Sequence, residues 1–122
     1  MKNFALVLIL LLIPLKAVQA EEVMANFRGI EILDACEASI SGSDVIKGKI
    51  CSGYVIGMAD GPNTLAKLGH KMIRWCKPIN VTEEQLVKIV QEYLIERPED
   101  LHHPAAKLVA QAFVEAFPCT AK

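Results

Sequence analysis

Aromatic residues are scarce in this sequence: four Phe, two Tyr and one Trp in 122 residues. Basic residues do not outnumber acidic ones, with 13 Lys plus Arg against 14 Asp plus Glu. No Lys/Arg cluster or aromatic-basic stripe is present to bind nucleic acid. There is no Cys-x-x-Cys, and His70, His102 and His103 lie far from any zinc-ligand spacing, so neither a metal site nor a cofactor is expected. Gly-x-Ser-x-Gly, a phosphate loop and a dinucleotide fingerprint are all missing. The adjacent acids Glu83/Glu84 and Glu99/Asp100 fall at predicted helix starts, where they complement the helix dipole. No segment alternates with period two, so no sheet is expected. By these absences the chain reads as a non-enzyme.

Only one long apolar run occurs, and it lies at the start. Met1-Lys2-Asn3 precedes "FALVLILLLI", which ends at Ile13 before Pro14. A membrane-spanning helix needs about 20 apolar residues, and this run has ten. Val18 and Ala20 supply small residues at −3 and −1 of a cleavage site before Glu21. Residues 1–20 therefore read as a signal peptide, cut between Ala20 and Glu21, and residues 21–122 as the exported domain, with no membrane attachment after cleavage. Cleavage removes Lys2 and Lys16 and no acid, leaving 11 basic and 14 acidic residues, a net charge of −3. The expected location is the periplasm.

All four cysteines, Cys36, Cys51, Cys76 and Cys119, lie in the exported part. An even number in a small exported domain reads as two disulfides. The clearest helix follows Thr82, whose "TEEQ" is a capping box. Leu86, Val87, Ile89, Val90, Tyr93 and Leu94 share one arc of it, and Pro98 stops it. A second helix spans about 104–116, with a core stripe of Ala105, Leu108, Val109, Ala112, Phe113, Ala116 and Phe117. The short connection "RPEDLHH" makes these two an antiparallel hairpin. Upstream, Phe27, Ile30, Leu33 and Cys36 have helical spacing and predict a helix over about 22–38. After the turn "SGSD", a helix over about 45–59 carries Ile46, Ile50, Tyr54, Val55 and Met58. "DGPN" reads as its stop, with Gly61 as the left-handed cap and Pro62 behind it. Gly53 and Gly57 sit one turn apart on this helix, a spacing that close approach of another helix backbone would explain. Residues 65–75 are part helix and part loop. The fold class is all-α: a small disulfide-stapled bundle of four main helices, with room for a short fifth.

Three cysteine pairings are formally open. Cys36 ends the first helix, and Cys51 faces back from about two turns into the antiparallel second. Cys76 precedes the third helix, and Cys119 follows the fourth. The hairpin geometry therefore favours Cys36–Cys51 and Cys76–Cys119. Trp75, beside Cys76, is expected to pack against that disulfide. Ile95 points into the polar face of its helix and marks a candidate partner contact. Residues 61–75, with Leu65, Leu68 and His70, are the segment least explained by packing and form a second candidate contact.

Three stretches occur in order: "CSGYVIGMADG" from Cys51, "CKPINVTEEQLVKIVQEYLIERPEDL" from Cys76, and "LVAQAFVEAFPC" ending at Cys119. Together they resemble the Rap/Tai family of periplasmic immunity proteins of type VI secretion systems. The likeness runs from Cys36 to Cys119. Its most specific parts are Cys-x-Pro before a capped helix, Pro-Glu-x-Leu after it, and the closing Phe-Pro-Cys. The resemblance implies a small helical periplasmic domain, often a homodimer. It would bind a peptidoglycan amidase effector delivered by another cell and obstruct its active site, stoichiometrically and without turnover. The four cysteines match the family's positions; effector contacts do not carry over to particular residues. A competing reading is a small periplasmic acid-stress chaperone of the HdeA-like kind, with the acids and histidines tuning a low-pH opening.

Overall fold

The computed structural model describes residues 27–71 and 74–120. The predicted signal peptide, the Ala20/Glu21 cleavage site and the first residues of the predicted first helix lie outside that range. Among these residues four helices form: α1 Gly29–Ser41, α2 Val45–Lys67, α3 Glu83–Ile95 and α4 Ala105–Ala116, with a 3₁₀ turn at Pro98–Asp100. Among the described residues there is no strand, and the domain is an all-α bundle. No helix among them is long and apolar enough to cross a membrane.

α1 starts later than predicted, because Arg28 is extended and pairs across to Pro104. The amides at the start of α1, which have no partner inside the helix, are taken up by the α3–α4 connection. Gly29 N donates to His103 O at 2.9 Å and Ile30 N to Leu101 O at 3.0 Å. Only glycine fits there: a Cβ on Gly29 would run into Leu108 and the Leu101 backbone. The Glu31 carboxylate closes the cap, accepting from the Arg28 amide at 2.9 Å and its guanidinium at 2.7 Å. The buried stripe of α1 is Ile32, Ala35, Cys36 and Ala38. Ile30, predicted inside, is exposed, while Phe27 and Leu33 pack at the edge of the core.

α2 departs most from the sequence expectation. "DGPN" does not stop it, and Gly61 is not its cap; the helix runs through to Lys67. An interior proline removes one backbone hydrogen bond and crowds the carbonyl four residues back, a cost of about 3 kcal/mol. Tertiary contacts offset that here. The Pro62 ring is buried. In the same turn, three residues before it, the Ala59 carbonyl accepts from the Trp75 indole at 3.3 Å. The true end is a Schellman motif: Gly69 has φ +83°. Its amide donates to Ala66 O at 3.1 Å, and the His70 amide to Leu65 O at 3.0 Å. The face of α2 is also rotated from the prediction. Cys51, Ser52, Val55 and Ala59 are buried, whereas Ile46 and Ile50 are exposed.

α1 and α2 form one antiparallel hairpin, turned by Gly42 at φ +70° and capped by Asp44, whose carboxylate accepts from Lys47 N at 3.0 Å. Their backbones touch at Gly48, where a Cβ would lie 3.0 Å from Ser39 Cα. The Cys36–Cys51 disulfide joins them inside the core, with both cysteines fully buried. α3 and α4 form the second hairpin. In the Thr82/Gln85 capping box, Gln85 N donates to Thr82 Oγ1 at 3.2 Å and Thr82 N to Gln85 Oε1 at 2.8 Å. Phe113, Ile32, Leu94, Leu108, Val55, Val90 and Val109 make up the fully buried centre between the hairpins. The α3 stripe is as predicted; on α4, Ala116 is exposed. Cys76–Cys119 closes the second hairpin across a sequence separation of 43. The chain-entropy model assigns about 3 kcal/mol to the short loop and about 4 kcal/mol to the long one.

Candidate functional site

The connection between α2 and α3, residues 68–80, has no regular secondary structure among its described residues, and it is held at both ends. At the entry stands the Schellman cap at Gly69. At the exit, Trp75 is buried, its ring centroid 5.4 Å from that of Phe113, with its indole on Ala59 O. Trp75 thus packs on α4 and α2 as well as preceding the disulfide. Cys76 follows, bonded to Cys119, and its amide donates to Phe117 O at 2.8 Å. Both ends of the connection are thus tied to the helical core.

The connection's other side chains include exposed apolar and basic groups. Leu68 is 69% exposed and Ile79 102%, so neither belongs to the core. Lys67, His70, Lys71 and Arg74 are exposed, and Lys77 is half-buried. None of the five forms an ion pair among the described residues. From residue 61 to residue 82 the sequence has no Asp or Glu at all. This local imbalance, in a chain of near-zero net charge, is a signal that overall composition hides and that the sequence expectation missed.

Of the predicted contact residues, Leu68 and His70 lie in this connection, and Leu65 is half-buried in the last turn of α2. Ile95 is exposed too, at 53%, but it ends α3, about 18 Å along the axis from where the connection enters. Its surroundings are internally satisfied. Arg97 lies over the Tyr93 ring at 3.9 Å and pairs with Glu115 at 3.0 Å. The Tyr93 hydroxyl donates to Gln111 at 3.5 Å, and burial raises its pKa above the usual phenol value. The structure therefore does not bring Ile95 together with Leu65, Leu68 and His70. Val114, another apolar residue at a polar edge, packs against the core.

A groove of ≈370 Å³ runs between α1, α2 and the start of α3, lined by Ser39, Ile40, Ser52, Glu83, Val87 and Gln91 among others. No histidine lines it, so Ser52 has no imidazole base there. Among the described residues no three His, Cys, Asp or Glu side chains are grouped to hold a metal ion. His102 and His103 stay in the α3–α4 connection, where His102 Nδ1 lies 2.9 Å from Glu99 O. What the arrangement offers is a presented surface, suited to binding a protein.

A family model for Rap1a immunity proteins matches residues 28–119. The chain belongs to the Rap1a immunity protein family. No curated protein and no solved structure matches it. The family match covers every described helix and both disulfides. It makes this an immunity protein, one that binds a cognate effector, and it gives no support to the acid-stress chaperone reading.

Proposed function

We propose that this immunity protein works in the periplasm and protects its cell from a peptidoglycan amidase delivered by type VI secretion. It binds the amidase stoichiometrically, as a homodimer, and obstructs the active site without turnover. The observation that carries this reading is the family match over residues 28–119. The signal-peptide pattern of residues 1–20 and two disulfides in a small domain agree with an oxidising compartment outside the cytoplasm.

The 68–80 connection is the contact surface in this proposal. Exposed Leu68 and Ile79 supply apolar anchors, and the run of bases without acids steers toward an acidic face on the effector. Anchoring by Trp75 and Cys76–Cys119 limits the entropy lost on docking. The test uses the tagged protein as bait in a periplasmic pull-down, then the recovered amidase in a cleavage assay. Wild type should capture the amidase at fixed stoichiometry and abolish peptidoglycan cleavage. Lys71→Glu/Arg74→Glu should weaken capture by about tenfold or more with no loss of thermal stability, since exposed charges contribute little to folding. Failure of the wild type to bind or inhibit the amidase would overturn the proposal.

A further inference from the structure

The exposed side of α2 combines large apolar residues with interior glycines. Ile46 is 76% exposed and Ile50 49%. Beyond them come Gly53 and Gly57, and a Cβ built on either meets nothing within 4 Å. Gly29 and Gly48 are small because the chain's own backbone approaches them. Among the described residues nothing asks the same of Gly53 and Gly57, although glycine is unfavourable in a helix interior. The close helix approach expected there from the sequence does not occur among the described residues. At about 100° per residue, Ile46, Lys49, Ile50, Gly53, Gly57 and Asp60 fall inside a single arc roughly 100° wide. The 4-3-4 spacing of Ile46, Ile50, Gly53 and Gly57 is that of a helix–helix seam.

The charges on this face indicate the occupant. Lys49 and Asp60 flank the glycines at the two ends, and neither forms an ion pair among the described residues. We propose that this face of α2 packs antiparallel against the same face of a second copy, with the twofold axis between Gly53 and Gly57. Gly53 of each copy then lies opposite Gly57 of the other, and the absent side chains let the backbones approach. Lys49 comes beside Asp60 of the second copy, and Asp60 beside its Lys49. Parallel packing would instead set Lys49 against Lys49. The face is thus complementary to itself only under the antiparallel twofold arrangement, which closes a dimer. The proposal rests on the homodimer stated above and assigns it a surface apart from the 68–80 connection.

The seam is small. Fifteen residues of helix span about 22 Å, so the contact is well below the roughly 800 Å² per partner of a tight complex. Dimerisation should be weak and concentration-dependent. Sedimentation equilibrium of the purified protein from about 10 µM to about 1 mM should show a monomer–dimer equilibrium. Gly53→Leu should weaken association by about tenfold or more while the melting temperature of the monomer holds or rises. Lys49→Glu alone and Asp60→Lys alone should each weaken it, and the double reversal should restore it. A dimer indifferent to Gly53→Leu would remove α2 from the interface yet leave the dimer reading standing. Failure of the double reversal to restore association would overturn the antiparallel register. A monomer throughout the range would overturn both surface and dimer, leaving effector blockade to be judged by amidase capture.

Discussion

Three glycines on α2 allow one chemical change to be read in two environments. Gly→Ala gains about 0.8–1.0 kcal/mol of helix propensity at any interior position. At Gly53 and Gly57 the new methyl enters open space, so the gain is realised in full. The double variant should gain about 2 kcal/mol, raising the melting temperature by about 8–16 °C for a domain of this size. At Gly48 the same methyl would sit 3.0 Å from Ser39 Cα, which is backbone and cannot rotate away. Separation of the helices is opposed by the Cys36–Cys51 bond about one turn away. Overpacking of this kind costs about 1–3 kcal/mol. After the propensity gain, Gly48→Ala should be destabilising by about 0–2 kcal/mol. The difference between Gly48→Ala and Gly53→Ala cancels propensity and isolates the contact. Urea unfolding followed by circular dichroism at about 5 µM, below the range where pairing is expected, gives each value. A Gly48→Ala protein as stable as Gly53→Ala would refute the close approach of α1 and α2. A Gly53→Ala protein less stable than wild type would refute the open face.

Trp75→Phe keeps a ring against Phe113 but strips the donor from Ala59 O, in the turn that Pro62 already disturbs; a loss of about 1–3 kcal/mol is expected by urea unfolding. Arg97→Ala removes both the Glu115 pair and the stack on Tyr93, whereas a double-mutant cycle with Glu115→Ala isolates the pair, which should contribute no more than about 1 kcal/mol because Glu115 is largely exposed. The Arg28 guanidinium holds the Glu31 carboxyl below its ordinary 4.5, so this contribution is fully present above pH 4.5 and is lost as pH falls through the lowered folded value. Acid unfolding should become less steep in Glu31→Gln and in high salt, and an unchanged profile would count against the cap. Lys47 is raised above its ordinary 10.5 chiefly by its hydrogen bond to Asp34, so that contribution is present below pH 10.5 and fades as pH rises through the raised value; Asp34→Asn should remove this alkaline dependence.

The second hairpin was legible in the sequence because its signals are local. Thr82 and Gln85 cap each other within one turn, and the apolar stripe from Leu86 to Leu94 needs no partner to be recognised. In the first hairpin the two helices, their turn and the Cys36–Cys51 pairing were legible, but the buried faces and the end of α2 were not, and each departure has a tertiary cause. Ile30 carries the right spacing for a core position, but the helix begins on the α3–α4 connection, which rotates Ile32 inward instead. "DGPN" has the composition of a stop. What overrides it is Pro62 burial and the Trp75 indole, a donor 16 residues beyond the carbonyl it meets. Ile46 and Ile50 read as core because apolar residues at helical spacing normally are. Periodicity shows that a face is apolar, without saying whether its cover belongs to the same chain. The 68–80 connection stood out only negatively, as a pattern that packing did not explain. Its positive mark, a run of bases without acids, was diluted in the overall charge.

The bond at Cys119 also orders the protein's birth. A chain that enters an oxidising compartment N-terminus first presents Cys36 and Cys51, 15 residues apart, long before Cys119 arrives. Cys76 must then wait 43 residues for its mate. During that wait it is the one thiol without a native partner. A finished molecule has no free cysteine; a chain ended before Cys119 would keep one thiol unpaired. The last bond to close thereby marks a chain whose final helix has been made and docked.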